Sequence, residues 1–255
     1  MLHEVFVYLA TFSVGLVSAV YGVAVGGGAL LTVPALVFLG LPVVEAVGTS
    51  RMGSLGVVST GLVTFGKAKS IDWPLSFKMT FLQIGGTVIG AYMLVSLPVY
   101  WVKQGVAFTI LGVLCLFIFF PSAGLEPGKV PKGSFRYRMG YVVLVCLGIL
   151  AGFYQGGAGT LAAYCMILFF GQTFLESAGT RKFPFLITNL ITLAILLPKG
   201  KVYLGVGTAL GLGTALGGYI GAKMAIDRGN KWVRRLFIIV VSFSGIRMLV
   251  DSLQG

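Results

Sequence analysis

The chain is made of apolar runs long enough to cross a lipid bilayer, and this feature removes most folds from consideration. A spanning helix needs about 20 predominantly apolar residues. Reading for such runs gives ten segments, at 5–25, 29–42, 52–66, 75–96, 99–120, 139–155, 159–171, 183–198, 202–225 and 233–251. Charged residues make up 10% of the 255, against roughly 25% in a soluble domain. A soluble fold of this size would expose apolar patches far beyond the few hundred Å² that monomers tolerate. The expectation is an all-α polytopic membrane protein with 8–10 crossings. A cytosolic enzyme, a disordered chain and a secreted disulfide scaffold are excluded.

The net charge of +12 would suggest nucleic acid in a soluble chain. Here the basic residues sit in short connectors between apolar runs, as the positive-inside rule expects. No basic run is interleaved with aromatics, so no nucleic-acid partner is expected. Cys115, Cys146 and Cys165 each lie inside an apolar run without C-x-x-C spacing and read as small buried hydrophobes. The one histidine, His3, is terminal. No metal set, Ser/His/Asp set or phosphate loop is visible, so neither a cofactor nor an enzyme is expected. The N-terminal run lacks a basic n-region and an A-x-A-like site, and is not read as a cleaved signal peptide. Trp73, Tyr100, Trp101 and Trp232 read as interfacial anchors.

A polar stretch from Pro121 to Arg138 carries Lys129, Lys132, Arg136 and Arg138 with three prolines. It reads as a cytoplasmic linker between an N-terminal repeat, 1–120, and a C-terminal repeat, 139–255. A shift of 131 positions aligns 22–91 with 153–222 without a gap. Gly26 and Gly28 fall on Gly157 and Gly159, and Gly40 on Gly171. Glu45, Gly48 and Thr49 fall on Glu176, Gly179 and Thr180, and Gly86, Gly90 and Ala91 on Gly217, Gly221 and Ala222. With five segments in each half, the halves take opposite orientations, an inverted repeat. Loop charges then place Lys67, Lys69, the linker cations, Arg181, Lys182, Arg228, Lys231, Arg234 and Arg235 on the cytoplasmic side. If the short second and seventh segments are re-entrant, eight helices cross and the repeats run parallel.

Two duplicated features could carry chemistry. The first is a glycine break, Gly22-Val-Ala-Val-Gly26-Gly27-Gly28 in one half and Gln155-Gly156-Gly157-Ala158-Gly159 in the other. Consecutive glycines cost helix stability, about 1 kcal/mol each relative to Ala. They also free backbone N–H groups that lipid cannot satisfy. A helix starting at Ala29 or Thr160 would aim its positive end into a cavity, which suits an anion. Close packing through small residues is the competing explanation. The second feature is Glu45-Ala-Val-Gly-Thr49-Ser50-Arg51 and its counterpart Glu176-Ser-Ala-Gly-Thr180-Arg181-Lys182. There the threonine hydroxyl would cap the next helix, and the cations would face the break as donors to an oxyanion. Glu45 and Glu176 are candidate proton carriers, or structural partners of the arginines. Asn189, two turns beyond Lys182, could face the same space. Gln83 reads more simply as an interhelical hydrogen-bond partner.

Gly22-Val-Ala-Val-Gly26-Gly-Gly28, Leu31-Thr-Val-Pro34 and Val47-Gly48-Thr49-Ser50, with Gly156-Gly-Ala-Gly159 and Ala178-Gly179-Thr180, resemble the paired signatures of the sulfite exporter TauE/SafE family, the four-toluene-sulfonate-uptake type of permease. The resemblance covers essentially the whole chain. It implies a secondary transporter in the bacterial inner membrane for sulfite, thiosulfate or an organosulfonate such as sulfoacetate; protons, carried by Glu45 or Glu176, are the expected coupling ion. A passive anion channel remains the alternative. One departure is that Arg181-Lys182 stands where the first half has Ser50-Arg51.

Overall fold

The computed structural model describes residues 2–102, 104–105, 126–128 and 130–253. Among these every regular element is an α-helix: α1 (Leu2–Val25), α2 (Ala29–Phe38), α3 (Val43–Lys67), α4 (Trp73–Ser96), α5 (Phe135–Phe153), α6 (Gln155–Phe170), α7 (Phe174–Thr180), α8 (Lys182–Leu196) and α9 (Leu204–Leu253). Four stretches are long and apolar enough to cross a membrane: Glu4–Val25, Trp73–Ser96, Phe135–Phe153 and Leu204–Leu236. A fifth is available if Gln155–Phe170 and Phe174–Leu196, bent by 118°, form one broken span. Most of the apolar segment at 99–120 lies outside the described residues, as do Cys115, Lys129 and the first part of the linker.

The helix ends follow from local chemistry. Asp72 caps α4 by accepting from Leu75 N, with Pro74 in the first turn where its missing N–H costs nothing. Ser134 caps α5 through Tyr137 N. Thr173 and Glu176 close a reciprocal capping box on α7. Gly171 ends α6 in the left-handed region, where glycine has no Cβ penalty. The linker is anchored there, because Gly128 N donates to Gly171 O at 2.8 Å. Gly229 interrupts α9 with φ 69°.

Two sequence expectations about helix starts change. Thr49 does not begin a helix: α3 starts at Val43 behind Pro42, so Thr49 lies inside it. Pro42 fixes the entry backbone, and the apolar Val43-Val44 turn joins the helix. Thr180 closes α7 rather than opening α8, and no side chain caps α8. Both hydroxyls are instead bound across the structure. Thr49 Oγ1 accepts from Tyr203 N at 3.0 Å, and Thr180 Oγ1 accepts from Asp72 N at 3.0 Å. The two pairs are related by the 131-residue shift at both ends.

The packing repeats the same exchange. The helices matched by the shift, α4 and α9, each rest on the first helix of the other half, α9 on α1 and α4 on α5. Glycines make the close approach possible. A Cβ at Gly90 or Gly86 would strike the α5 backbone around Val145–Phe153, and one at Gly217 or Gly221 the α1 backbone around Leu16–Val20. These are the small-residue contacts by which membrane helices associate without a hydrophobic driving force between them. The outer surface carries Phe6, Leu9, Phe81, Phe135 and Leu212, all more than 60% exposed, as lipid-facing positions require. Cys165 is buried and Cys146 exposed, so only the first of these fits the expectation of a buried small hydrophobe.

Candidate functional site

The two glycine breaks meet. Gly26 and Gly27 have φ 85° and 77°, and Gly157 has φ 88°, values that only glycine adopts at little cost. A Cβ at Gly26 would lie 2.6 Å from Gly159 C and 2.8 Å from Thr160 N. The backbones are therefore in direct contact, and a ligand has room beside the junction rather than between the breaks. Gly28 precedes α2, and its carbonyl accepts from Leu31 N and Thr32 N, both at 3.1 Å. Gly156, with ψ 116°, turns the chain from Gln155 into α6.

The cations beside these breaks are fully or nearly fully buried and differ sharply in how many donors they have engaged. A helix leaves its last four carbonyls without intrahelical partners. At the end of α1 one of the four is taken by backbone: Gly22 O accepts from Gly26 N at 2.9 Å. The other three are taken by the second half. Lys182 Nζ donates to Val23 O, Arg181 Nη2 to Ala24 O and Arg181 Nη1 to Val25 O at 3.3 Å. Arg181 Nη1 also donates to Gly159 O, so this one guanidinium stitches the two breaks together. Lys182 further lies over the Phe65 ring, 5.8 Å from its centroid. Positive charge at a helix C-terminus is the favourable end of the helix dipole. Arg181 and Lys182 thus have an architectural task.

Arg51, the repeat-mate of Lys182, does half of this. Its Nη2 donates to Gly152 O at 3.0 Å in the last turn of α5. Its Nε and Nη1 are buried with no partner. Other side chains also carry buried polar atoms without partners among the described residues. Both amide atoms of Gln83 and both of Asn189 lack partners, as does Gln155 Oε1. Gln83 and Thr87 sit against the same turns of α5 that Arg51 reaches. A Cβ at Gly148 would lie 2.7 Å from Gln83 O, and Thr87 Oγ1 donates to Gly148 O at 3.3 Å. Gln155 follows Gly152 by three residues. Asn189 and Gln83 each stand six residues beyond Phe183 and Phe77, whose rings touch at 5.1 Å on the packed helices α8 and α4. Unpaired buried polar groups are uncommon and call for a partner.

The remaining expected residues have other engagements. Ser50 donates to Val47 O at 2.8 Å and faces a small cavity. Glu45 pairs with Lys201 at 2.8 Å, both side chains partly exposed. Glu176 Oε2 accepts from Thr173 N and Oγ1 in the capping box. Sequence reasoning underrated Gln83. The signal was there, a lone amide in an apolar helix, but its lack of a partner shows only once the helices are packed. Tyr154 was missed as a packing element. It is 1% exposed, and its ring fills the space in which Gly156 lacks a side chain.

The family model for the sulfite exporter TauE/SafE matches residues 10–248. The chain belongs to the TauE/SafE family. Among its relatives, a "Probable membrane transporter protein" of Haemophilus influenzae is 26% identical over 94% of both chains. One from a Sinorhizobium species is 25% identical over 96% of this chain and 92% of its own. One from Escherichia coli is 24% identical over 89% and 84%. No solved structure matches. This TauE/SafE protein is a multi-pass bacterial membrane protein and a membrane transporter.

Proposed function

We propose that this transporter carries a small sulfur-containing anion, sulfite, thiosulfate or an organosulfonate such as sulfoacetate, across the inner membrane by alternating access, and that Arg51 is its principal anion contact. The observation that carries the proposal is the buried Arg51 guanidinium with two nitrogens unengaged and no carboxylate paired with it among the described residues. A buried cation without a counter-charge is costly, and an oxyanion entering beside it would supply both the charge and the acceptors. Gln83, Gln155 and Asn189 would complete the shell. The amide groups donate to oxygens, and their acceptor atoms would serve a hydroxyl or a protonated anion such as bisulfite. Gly26, Gly27, Gly28, Gly156, Gly157 and Gly159 shape the junction. Thr49, Thr180, Arg181 and Lys182 hold the helices that line the site, and Ser50 is adjacent to it.

The reciprocal Thr49–Tyr203 and Thr180–Asp72 bonds, with α9 on α1 and α4 on α5, support two fused inverted repeats, 1–120 and 139–255, joined by the basic stretch 121–138. They are what a pseudo-two-fold axis relating the halves would produce, and the odd number of segments per half would lay that axis in the membrane plane. Rocking of one repeat on the other about the glycine junction would then expose Arg51 alternately to each side. Proton coupling through Glu45 or Glu176 would require opening the Lys201 pair or the capping box during the cycle.

The test is uptake of sulfite and thiosulfate into proteoliposomes, with sulfate and taurine as comparison anions. Saturable counterflow lost in Arg51→Gln supports the proposal. Ion-like conductance in a planar bilayer would make the protein a channel instead. Transport unchanged in Arg51→Gln would remove Arg51 from the site.

A further inference from the structure

A cavity of about 40 Å³ lies beside the first glycine break, between α1, α2, α3 and α9. This is room for more than one water. Its polar wall consists of five hydroxyls: Ser18, Thr32, Ser50, Ser54 and Thr214. Four of them already give their proton to a helix carbonyl. Ser18 donates to Gly15 O at 3.0 Å, Ser50 to Val47 O at 2.8 Å, Ser54 to Ser50 O at 2.8 Å and Thr214 to Gly53 O and Gly211 O. A hydroxyl so engaged keeps only lone pairs for other partners. Thr32 is 5% exposed; its backbone N–H donates to Gly28 O, and its hydroxyl gives its proton to no carbonyl among the described residues. The wall therefore offers five acceptor oxygens and one free donor, and no charged side chain lines it. Waters filling it would find acceptors in excess of donors.

The repeat relation gives this wall a meaning. Under the 131-residue shift, Gly28, Ser50 and Ser54 fall on Gly159, Arg181 and Phe185. In the second half that space is filled. The Phe185 ring lies against Gly159, and Arg181 donates to Gly159 O. One half thus carries a covalently attached cation where the other carries an oxygen-lined hole.

From this we infer that the cavity is the seat of a small hard monovalent cation, Na⁺ or hydronium, occupying in the first half the role of the Arg181 guanidinium in the second. Hydroxyl and carbonyl oxygens are the ligands such cations take, and unwound membrane helices are where they bind. The link to coupling rests on the anion-transport proposal: Ser50 adjoins Arg51, so a cation in the cavity and an anion on Arg51 would favour one another's binding.

The experiment uses the full chain purified in detergent. ²²Na⁺ binding and thermal unfolding are measured in sodium gluconate, choline gluconate and choline chloride at pH 6 and 8, for the native protein and for Thr32→Val and Ser54→Ala. Expected is saturable ²²Na⁺ binding, or stabilisation by acid that needs no sodium. Either should weaken by about tenfold or more in each variant, because one oxygen contact to a charge is lost. In proteoliposomes the matching gradient, sodium or pH, should drive anion accumulation, and Thr32→Val should abolish that drive while sparing anion exchange. Stabilisation that follows chloride rather than the cation would overturn the inference. So would identical behaviour of the variants and the native protein, which is what a cavity holding only water predicts. Failure of sulfur-anion binding alone would defeat the transport proposal and leave the cation measurement standing.

Discussion

The two halves meet the same physical problem, a helix whose last carbonyls are buried against the other half, and solve it differently. Where α1 ends, Arg181 and Lys182 of the second half cover its three free carbonyls. Where α5 ends, Arg51 of the first half covers Gly152 O and keeps two nitrogens unengaged. Matched positions have thus separated into a lock and a reader. The lock is saturated by protein and can do nothing else. In the proposed function a bound anion completes the reader.

The largest effect expected from this contrast comes from replacing each arginine by methionine, which keeps the apolar length and removes the donors. Arg181→Met leaves buried carbonyls at Ala24, Val25 and Gly159 without their cation. An unsatisfied buried polar group costs roughly 1–3 kcal/mol, so the variant should lose several kcal/mol, and thermal unfolding in detergent should show a much lower midpoint. Arg51→Met removes one bonded nitrogen and two unbonded ones. Removing a buried charge that lacks a counter-charge is close to neutral or stabilising. Its midpoint should hold or rise while anion binding is abolished. Equal destabilisation by the two changes would erase the distinction between lock and reader.

A smaller effect separates the glycines. Gly26→Ala must place a Cβ 2.6 Å from Gly159 C while holding φ near 85°. Both the backbone and the facing break would have to move, which should cost more than 2 kcal/mol and disrupt transport. Gly40→Ala faces the same sign of φ, at 95°, but meets nothing within 4 Å. It should cost about 1 kcal/mol and leave transport intact. Paired unfolding and flux measurements on the two variants decide whether the first break is a junction or merely a turn.

How far the sequence reached follows from these residues. The glycine breaks were legible, because glycine runs stand out against an apolar background, but the repeat sets Gly26 on Gly157 whereas the fold brings it against Gly159, and Arg51, Arg181 and Lys182, read as connector cations, are buried. The helix starts at Thr49 and Thr180 were misjudged for a physical reason. A Gly-Thr-cation run looks like a cap when only near neighbours are weighed, yet each threonine is bound by a residue more than a hundred positions away. Distinguishing Arg51 from Arg181 was beyond pattern reading altogether. Both lie just after a Gly-Thr pair in matched segments, and only the count of carbonyls within reach tells a saturated guanidinium from an unsaturated one.

The smallest expected effect concerns the two glutamates, which the repeat places alike and the fold uses differently. Glu45 holds Lys201 in a partly exposed ion pair, the kind typically worth 0–1 kcal/mol. Glu45→Gln should therefore barely shift the unfolding midpoint. Glu176→Gln retains an amide oxygen for the Thr173 N–H, so the capping box survives in weakened form and the loss should stay near or below about 1 kcal/mol. The informative readout is transport under a pH gradient. If either glutamate carries the proton, its variant loses gradient-driven accumulation while exchange persists, and the double variant behaves no differently from that one. If the double variant still accumulates anion, the carboxylates are fasteners at the membrane surface. Under the inference above, the coupling cation would then be the one seated in the hydroxyl-walled cavity of the first half, beside Arg51, whose Nε and Nη1 are unengaged.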